Sequence, residues 1–188
     1  MTFEVEQKFP IADRAALEAR LVSLGARLGV AHEERDVYHT HPARDFGRTD
    51  EALRIRAREQ ESFLTYKGPK IDSTTKTRRE IDLPLPVGDT PRWRELLLAL
   101  GFQPLAEVRK QRQKATLTWE GSPIEISLDE VRGVGTFLEL ELIADEACLE
   151  QARARIASLA QALQLTQSER RSYLELLICS PGAQSPKR

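Results

Sequence analysis

The sequence predicts an α+β fold: one large antiparallel sheet, closed into a barrel, with helices packed outside it. Three observations lead there. Stretches that alternate apolar and charged residues recur along most of the chain, and a period of two is that of a β-strand. Two or three helical patterns interrupt them, too few for a repeating strand–helix–strand order. The charged sides of several strands carry one sign only, as in Arg54-x-Arg56-x-Arg58 and Lys110-x-Arg112-x-Lys114. A solvated face usually mixes signs, because like charges side by side repel. These rows therefore read as the lining of an interior.

The elements follow in order. Residues 3–9 form a strand with Glu4, Glu6 and Lys8 on one face and Phe3, Val5, Gln7 and Phe9 on the other. Ile11 to Leu28 places Ala15, Leu17, Leu21, Val22 and Leu24 at helical spacing, with Asp13 as cap and Gly25 or Gly29 as stop. Glu33 to Thr40 is extended, and Pro42 to Arg48 is a loop. Residues 52–59 and 62–68 make a hairpin ended by Gly68-Pro69. A polar loop from Lys70 to Thr75 leads to a strand from Lys76 to Leu83. Arg92 to Leu100 is an amphipathic helix stopped by Gly101. Ala106 to Lys114 and Ala115 to Trp119 read as two strands with little between them. Gly121-Ser122-Pro123 turns the chain into a strand alternating Ile124, Ile126 and Leu128 with Glu125, Ser127 and Asp129. Gly133-Val134-Gly135 turns it again, into Phe137 to Ile143. Residues 146–164 are an Ala/Leu helix, and Ser168 caps a last helix running to Cys179. One domain spans 2–179, followed by a loose Pro/Gly/Ser-rich tail at 180–188.

Composition narrows the function. The 188 residues carry 40% hydrophobic and 30% charged side chains, which fits one globular domain with a substantial core. The net charge of −1 gives no general attraction to nucleic acid or to a membrane surface. No apolar run approaches the ~20 residues of a membrane helix, and the acidic N-terminus is unlike a signal peptide. Cys148 and Cys179 stand alone with no CxxC, so a disulfide framework or thiolate metal site is not expected and a reducing cytoplasm is the default. His39-x-His41 has strand spacing, but no Cys or third His joins it in a zinc pattern.

The charged rows point to a ligand. Guanidinium forks match phosphate oxygens and Lys supplies point charge. Hard divalent cations prefer carboxylate oxygens, and Mg²⁺ commonly joins protein carboxylates to substrate phosphates. A lumen basic in one part and acidic in another suits a chain of phosphates with one or two Mg²⁺ or Mn²⁺ ions.

Taken together, the motifs resemble the CYTH superfamily, the triphosphate tunnel metalloenzymes, from Glu4 to about Leu177. Glu4-x-Glu6-x-Lys8 is similar to the family's N-terminal signature. Asp36-x-Tyr38, Ala52-Leu53-Arg54-Ile55-Arg56, Thr65-Tyr66-Lys67-Gly68 and Lys76-Thr77-Arg78-Arg79-Glu80 follow in order. Val108-Arg109-Lys110-Gln111-Arg112, Leu128-Asp129-Glu130-Val131 and Gly135-Thr136-Phe137-Leu138-Glu139-Leu140-Glu141 complete the set. The resemblance implies an antiparallel eight-stranded barrel forming a tunnel. It implies that Glu4, Glu6, Asp129, Glu139 and Glu141 hold divalent metal and carry catalysis. It implies that Lys8, Arg54, Arg56, Lys67, Arg78, Lys110 and Arg112 hold the triphosphate, with Arg58, Lys76 and Glu80 next to them. A homodimer is suggested at the same level.

His41-Pro42-Ala43-Arg44-Asp45-Phe46 and Arg171-Ser172-Tyr173-Leu174-Glu175-Leu176-Leu177 look like the class IV adenylyl cyclase branch. The resemblance thus implies conversion of ATP to cyclic AMP and pyrophosphate. The alternatives are hydrolysis of inorganic triphosphate, thiamine triphosphate or a nucleoside triphosphate, and non-catalytic binding of a polyphosphate or nucleotide. Acids at both ends of the chain argue against plain anion binding. Tyr38 and Tyr173 are candidates to approach the tunnel, whereas Trp93 and Trp119 read as packing residues.

Overall fold

The computed structural model describes residues 2–71, 75 and 77–179. Its eight strands are β1 (Thr2–Pro10), β2 (Arg27–Thr40), β3 (Ala52–Ala57), β4 (Ser62–Lys67), β5 (Glu80–Leu85), β6 (Gln103–Trp119), β7 (Ser122–Val131) and β8 (Gly135–Asp145). They form one antiparallel sheet in the order β1-β8-β7-β6-β2-β3-β4-β5. The helices are α1 (Arg14–Ser23), α2 (Phe46–Thr49), α3 (Thr90–Ala99), α4 (Leu149–Ala162) and α5 (Tyr173–Cys179), with a 3₁₀ turn at Glu146–Cys148. None of the described helices is long and apolar enough to cross a membrane.

The sheet curls until its edges touch. The contact is a single antiparallel bridge between Glu4 in β1 and Arg78, just before β5. No ladder joins β1 to β5 among the described residues, so the closed barrel expected from the sequence is not borne out by hydrogen bonds there.

Alternation places apolar side chains on the convex face. Val5 and Phe9 of β1, Leu138 and Leu140 of β8, and Ile124, Ile126 and Leu128 of β7 are all buried there. Leu17 and Leu21 of α1 and Ile156 and Leu159 of α4 cover them. At roughly 25 cal/mol per Å² of apolar surface removed from water, this cluster is the main source of stability. α1 starts where Asp13 accepts a hydrogen bond from Ala16 N at 3.0 Å, and it ends before Gly25, whose φ of +90° suits glycine. A second cluster joins α2, α3, β3 and β5 through Phe46, Leu97, Leu53, Ile55 and Leu85, with Trp93 packed against it.

Several boundaries differ from the sequence reading, among them the loop expected at Pro42 to Arg48, which runs into α2 at Phe46. The first helix stops at Ser23 and β2 already begins at Arg27. The strand expected from Lys76 begins at Glu80 (Lys76 itself lies outside the described residues). β6 is one unbroken strand of 17 residues, because nothing between Leu105 and Trp119 turns a chain and β7 pairs with it continuously from Lys110 to Trp119. The last helix begins at Tyr173 and not after Ser168; Ser172 Oγ accepts from Glu175 N at 3.1 Å and caps it. The tail at 180–188 lies outside the described residues.

Candidate active site

A cavity of about 510 Å³ opens on the concave face of the sheet. Among the acids singled out in the sequence, Glu4, Glu6, Glu139 and Glu141 line it. Among the cations, Arg54, Arg56, Lys67, Arg78, Lys110 and Arg112 line it, joined by Arg58, Lys114 and Glu80. Asp129 and Lys8 are not in the lining. Strand register explains the gathering, since directly paired residues share a face. Glu6, Glu141 and Glu125 are neighbours across β1, β8 and β7. Arg56 pairs with Asp36, Lys110 with Glu34 and Arg112 with Asp129.

One wall is crowded with carboxylates. Burial first, then the charges of Glu6 and Glu125, push Glu141 up to about 7. Beside it, Lys67 Nζ sits 2.6 Å from Glu80 Oε2 and 3.5 Å from Glu4 Oε2. Burial raises Glu4 well above the usual carboxylate range and its hydrogen bond with Glu80 raises it further. Burial would raise Glu80 as well, but Lys67 and the hydrogen bond with Glu4 hold it down at about 2.

The basic part of the lining is held from behind, and it touches the acidic part where an Arg112 nitrogen donates to Glu139 Oε2 at 2.5 Å. Arg56 donates from Nε to Asp36 Oδ1 at 2.7 Å and from an Nη to Oδ2 at 2.8 Å, and Arg54 reaches Oδ2 at 3.1 Å. Glu34 lies 2.8 Å from Arg58, 3.2 Å from Lys110 and 3.3 Å from Arg56. Asp129 accepts from Arg112 Nε at 2.7 Å and from a second Arg112 nitrogen, while Lys110 Nζ stands 3.7 Å away. These three acids are at most 1% exposed. The single-signed rows of the sequence are therefore balanced across strands, by acids on β2 and β7. Sequence reasoning missed Glu34 and gave Asp36 no role. Their spacing, Glu34-x-Asp36, is the same period of two as the arginine row beside them.

Tyr173 closes one end of this space. Its hydroxyl donates to Asp129 Oδ2 at 2.9 Å, and its ring packs with Tyr38, Val108, Val131 and Phe137. Both Tyr38 and Tyr173 reach the cavity. Lys8 Nζ lies 4.0 Å from the centre of the Tyr173 ring and donates to the Arg171 carbonyl at 2.5 Å. His41 packs on Phe46 and Phe102, and its Nδ1 accepts from Ala43 N. Gly133-Val134-Gly135 is the turn from β7 to β8, with Gly133 at φ +75°. Trp119 donates to Ser158 at the convex face.

The acidic part of the lining suits a hard divalent cation in its donors, since carboxylate oxygens are what Mg²⁺ and Mn²⁺ select and Glu4, Glu6, Glu139 and Glu141 all line the cavity. Among the described residues no three ligating side chains already converge on one point.

The CYTH domain model matches residues 2–173. A Methanocaldococcus jannaschii protein named "Putative adenylate cyclase MJ0240" is 38% identical over 176 residues, covering 92% of this chain and 97% of its own. Adenylate cyclase CyaB of Aeromonas hydrophila is 27% identical over 180 residues, covering 93% of this chain and 88% of its own. The solved PH1819 protein of Pyrococcus horikoshii superposes with a TM-score of 0.83 at 38% identity, covering 93% of this chain and 98% of that one. A model spanning residues 2–173, and a relative matching at this identity over nearly its whole length, place the chain in the CYTH domain family.

Proposed function

We propose that the protein is a divalent-metal-dependent enzyme acting on a triphosphate in this cavity, and that the reaction is the conversion of ATP to cyclic AMP and pyrophosphate. The observation that carries the reading is that arginine and lysine side chains fixed by buried acids line one cavity together with a row of crowded carboxylates. A volume near 510 Å³ is that of an ordinary small-molecule site. The names of the two cyclase relatives favour ring closure over hydrolysis.

In this reading the ribose 3′-hydroxyl attacks the α-phosphorus, a new P–O bond forms, and the bond to pyrophosphate breaks. Phosphoryl-type transfer needs positioning and charge neutralisation more than covalent help from the protein. Arg54 and Arg56 would contact the phosphates through guanidinium nitrogens, and Lys67, Lys110 and Arg112 would add point and fork contacts. Glu6, Glu139 and Glu141, with Glu4 beside them, would hold Mg²⁺ or Mn²⁺, which neutralises phosphate charge and lowers the pKa of the attacking hydroxyl. Asp129 and Lys8 take other roles here: Asp129 orients Arg112 from behind, and Lys8 anchors the segment that leads into α5.

The test is product analysis. Purified protein is incubated with ATP and Mn²⁺, and separately with inorganic triphosphate, and the products are resolved by chromatography. Cyclic AMP with equimolar pyrophosphate supports the proposal. ADP and phosphate, or cleavage of inorganic triphosphate alone, would replace cyclisation by hydrolysis at the same site. Turnover of no triphosphate would leave a binding protein.

A further inference from the structure

Five cations of the basic wall, Arg54, Arg56, Arg58, Lys110 and Arg112, rest on three buried acids, Glu34, Asp36 and Asp129. None of the three acids lines the cavity, so none is placed to touch a substrate. Buried charges are costly and are retained only where they are paired, which makes a full second layer of carboxylates behind an anion site an odd expense if tight binding were the only aim. Five cations alone would hold a polyanion hardest. Three acids behind them cancel more than half of that charge.

The geometry adds a second point. Arg56 gives Asp36 one edge of its fork, Nε and an Nη; Arg112 does the same with Asp129, its shared Nη donating also to Glu139 in the cavity lining. A guanidinium has five donors in a fixed plane, so an arginine gripped along one edge presents the remaining donors in a set direction. Lys110, by contrast, is shared between Glu34 and Asp129 from two sides.

We infer that Glu34, Asp36 and Asp129 are positioning residues that act through the cations: they aim the arginines at the phosphates and weaken the grip of the basic wall, so that the pyrophosphate product leaves. The inference rests on the cavity being a triphosphate site. It separates two quantities that a merely structural role would move together. Loss of one buried acid makes the wall more positive and its aim poorer, so an anion binds more tightly while catalysis slows.

The experiment uses the full-length protein and its Glu34→Gln and Asp36→Asn variants. Binding of inorganic pyrophosphate is measured by calorimetry without divalent metal, and kcat and KM for ATP are measured with Mn²⁺. We expect each variant to bind pyrophosphate roughly tenfold more tightly, the effect of one nearby unit charge at a partly screened site, with a lower kcat and a KM that does not rise. Equal or weaker pyrophosphate binding in the variants, with wild-type binding intact, overturns the inference. Folded wild-type protein that binds neither pyrophosphate nor triphosphate overturns the reading of the cavity itself. A variant that folds only when pyrophosphate is added supports the inference, because the anion then replaces the missing carboxylate. Should a single variant fold under neither condition, Asp129→Asn, which removes the acid behind Arg112 and leaves every cation in place, decides: tighter pyrophosphate binding supports the inference, and equal or weaker binding overturns it.

Discussion

At the scale of single residues, the site holds two kinds of carboxylate that the sequence does not distinguish. Asp129 is buried against Arg112 and Tyr173, and removing one partner of such a buried pair costs on the order of 3–5 kcal/mol. Asp129→Asn is therefore expected to lower the free energy of unfolding by about that amount in a urea titration. Glu141 stands in the crowded row, so Glu141→Gln should leave the melting temperature level or higher. The same change should reduce kcat roughly a hundredfold or more, as expected for several kcal/mol of lost transition-state stabilisation. The pH dependence of stability follows from Asp36 and Glu34. Burial alone would raise both, but Arg54 and Arg56 around Asp36, and Lys110 and Arg56 around Glu34, hold both carboxyls well below the usual range. A depressed folded-state value contributes stability that is present above the unfolded value of about 4 and lost as pH falls below it. Thermal melts should thus vary little with these groups above about pH 5 and fall progressively below about pH 4, with a shallower acid slope in Asp36→Asn. The rows themselves were legible because alternation is local. The pairing of Glu34 and Asp36 with arginines on a neighbouring strand was not, because it depends on which strands meet.

At the scale of elements, what the sequence made legible was what short-range chemistry decides. Asp13 was readable as a cap because its side chain reaches a backbone N–H only three residues on. Asp13→Ala should cost about 1 kcal/mol in an equilibrium unfolding measurement. The β3–β4 hairpin and the β7–β8 turn were readable for the same reason. The unbroken length of β6 was not, since the register with β2 and β7 that carries it through Lys114 and Ala115 is set by distant strands. The start of α5 was misplaced by four residues' worth of serine: both Ser168 and Ser172 can cap, and packing of Tyr173 onto Phe137 and Lys8 selects the second. Ile156 in α4 is fully buried against the convex face, so Ile156→Ala should destabilise by about 2–5 kcal/mol in the same assay, through lost burial and the cavity left behind.

At the scale of the whole molecule, the near-neutral net charge hides a separation of charge inside a curled sheet. Composition averages over it, and the helix-covered convex face gives no sign of it. The sequence pattern implied an interior lined with charge, and the register now accounts for which strands bring the two signs together. It did not reveal that, among the described residues, the edges of the sheet meet at Glu4 and Arg78 without a ladder, because closure depends on the twist accumulated over all eight strands. The central claim is that a triphosphate lies between the two walls with its metal on the acidic one. A crystal structure with a methylene analogue of ATP and Mn²⁺, with anomalous scattering used to find the metal, tests it most directly. The account predicts phosphate oxygens within hydrogen-bond distance of Arg54, Arg56 and Lys110, and an anomalous peak beside Glu6 and Glu141. An analogue bound elsewhere, or a manganese peak away from those carboxylates, would contradict it.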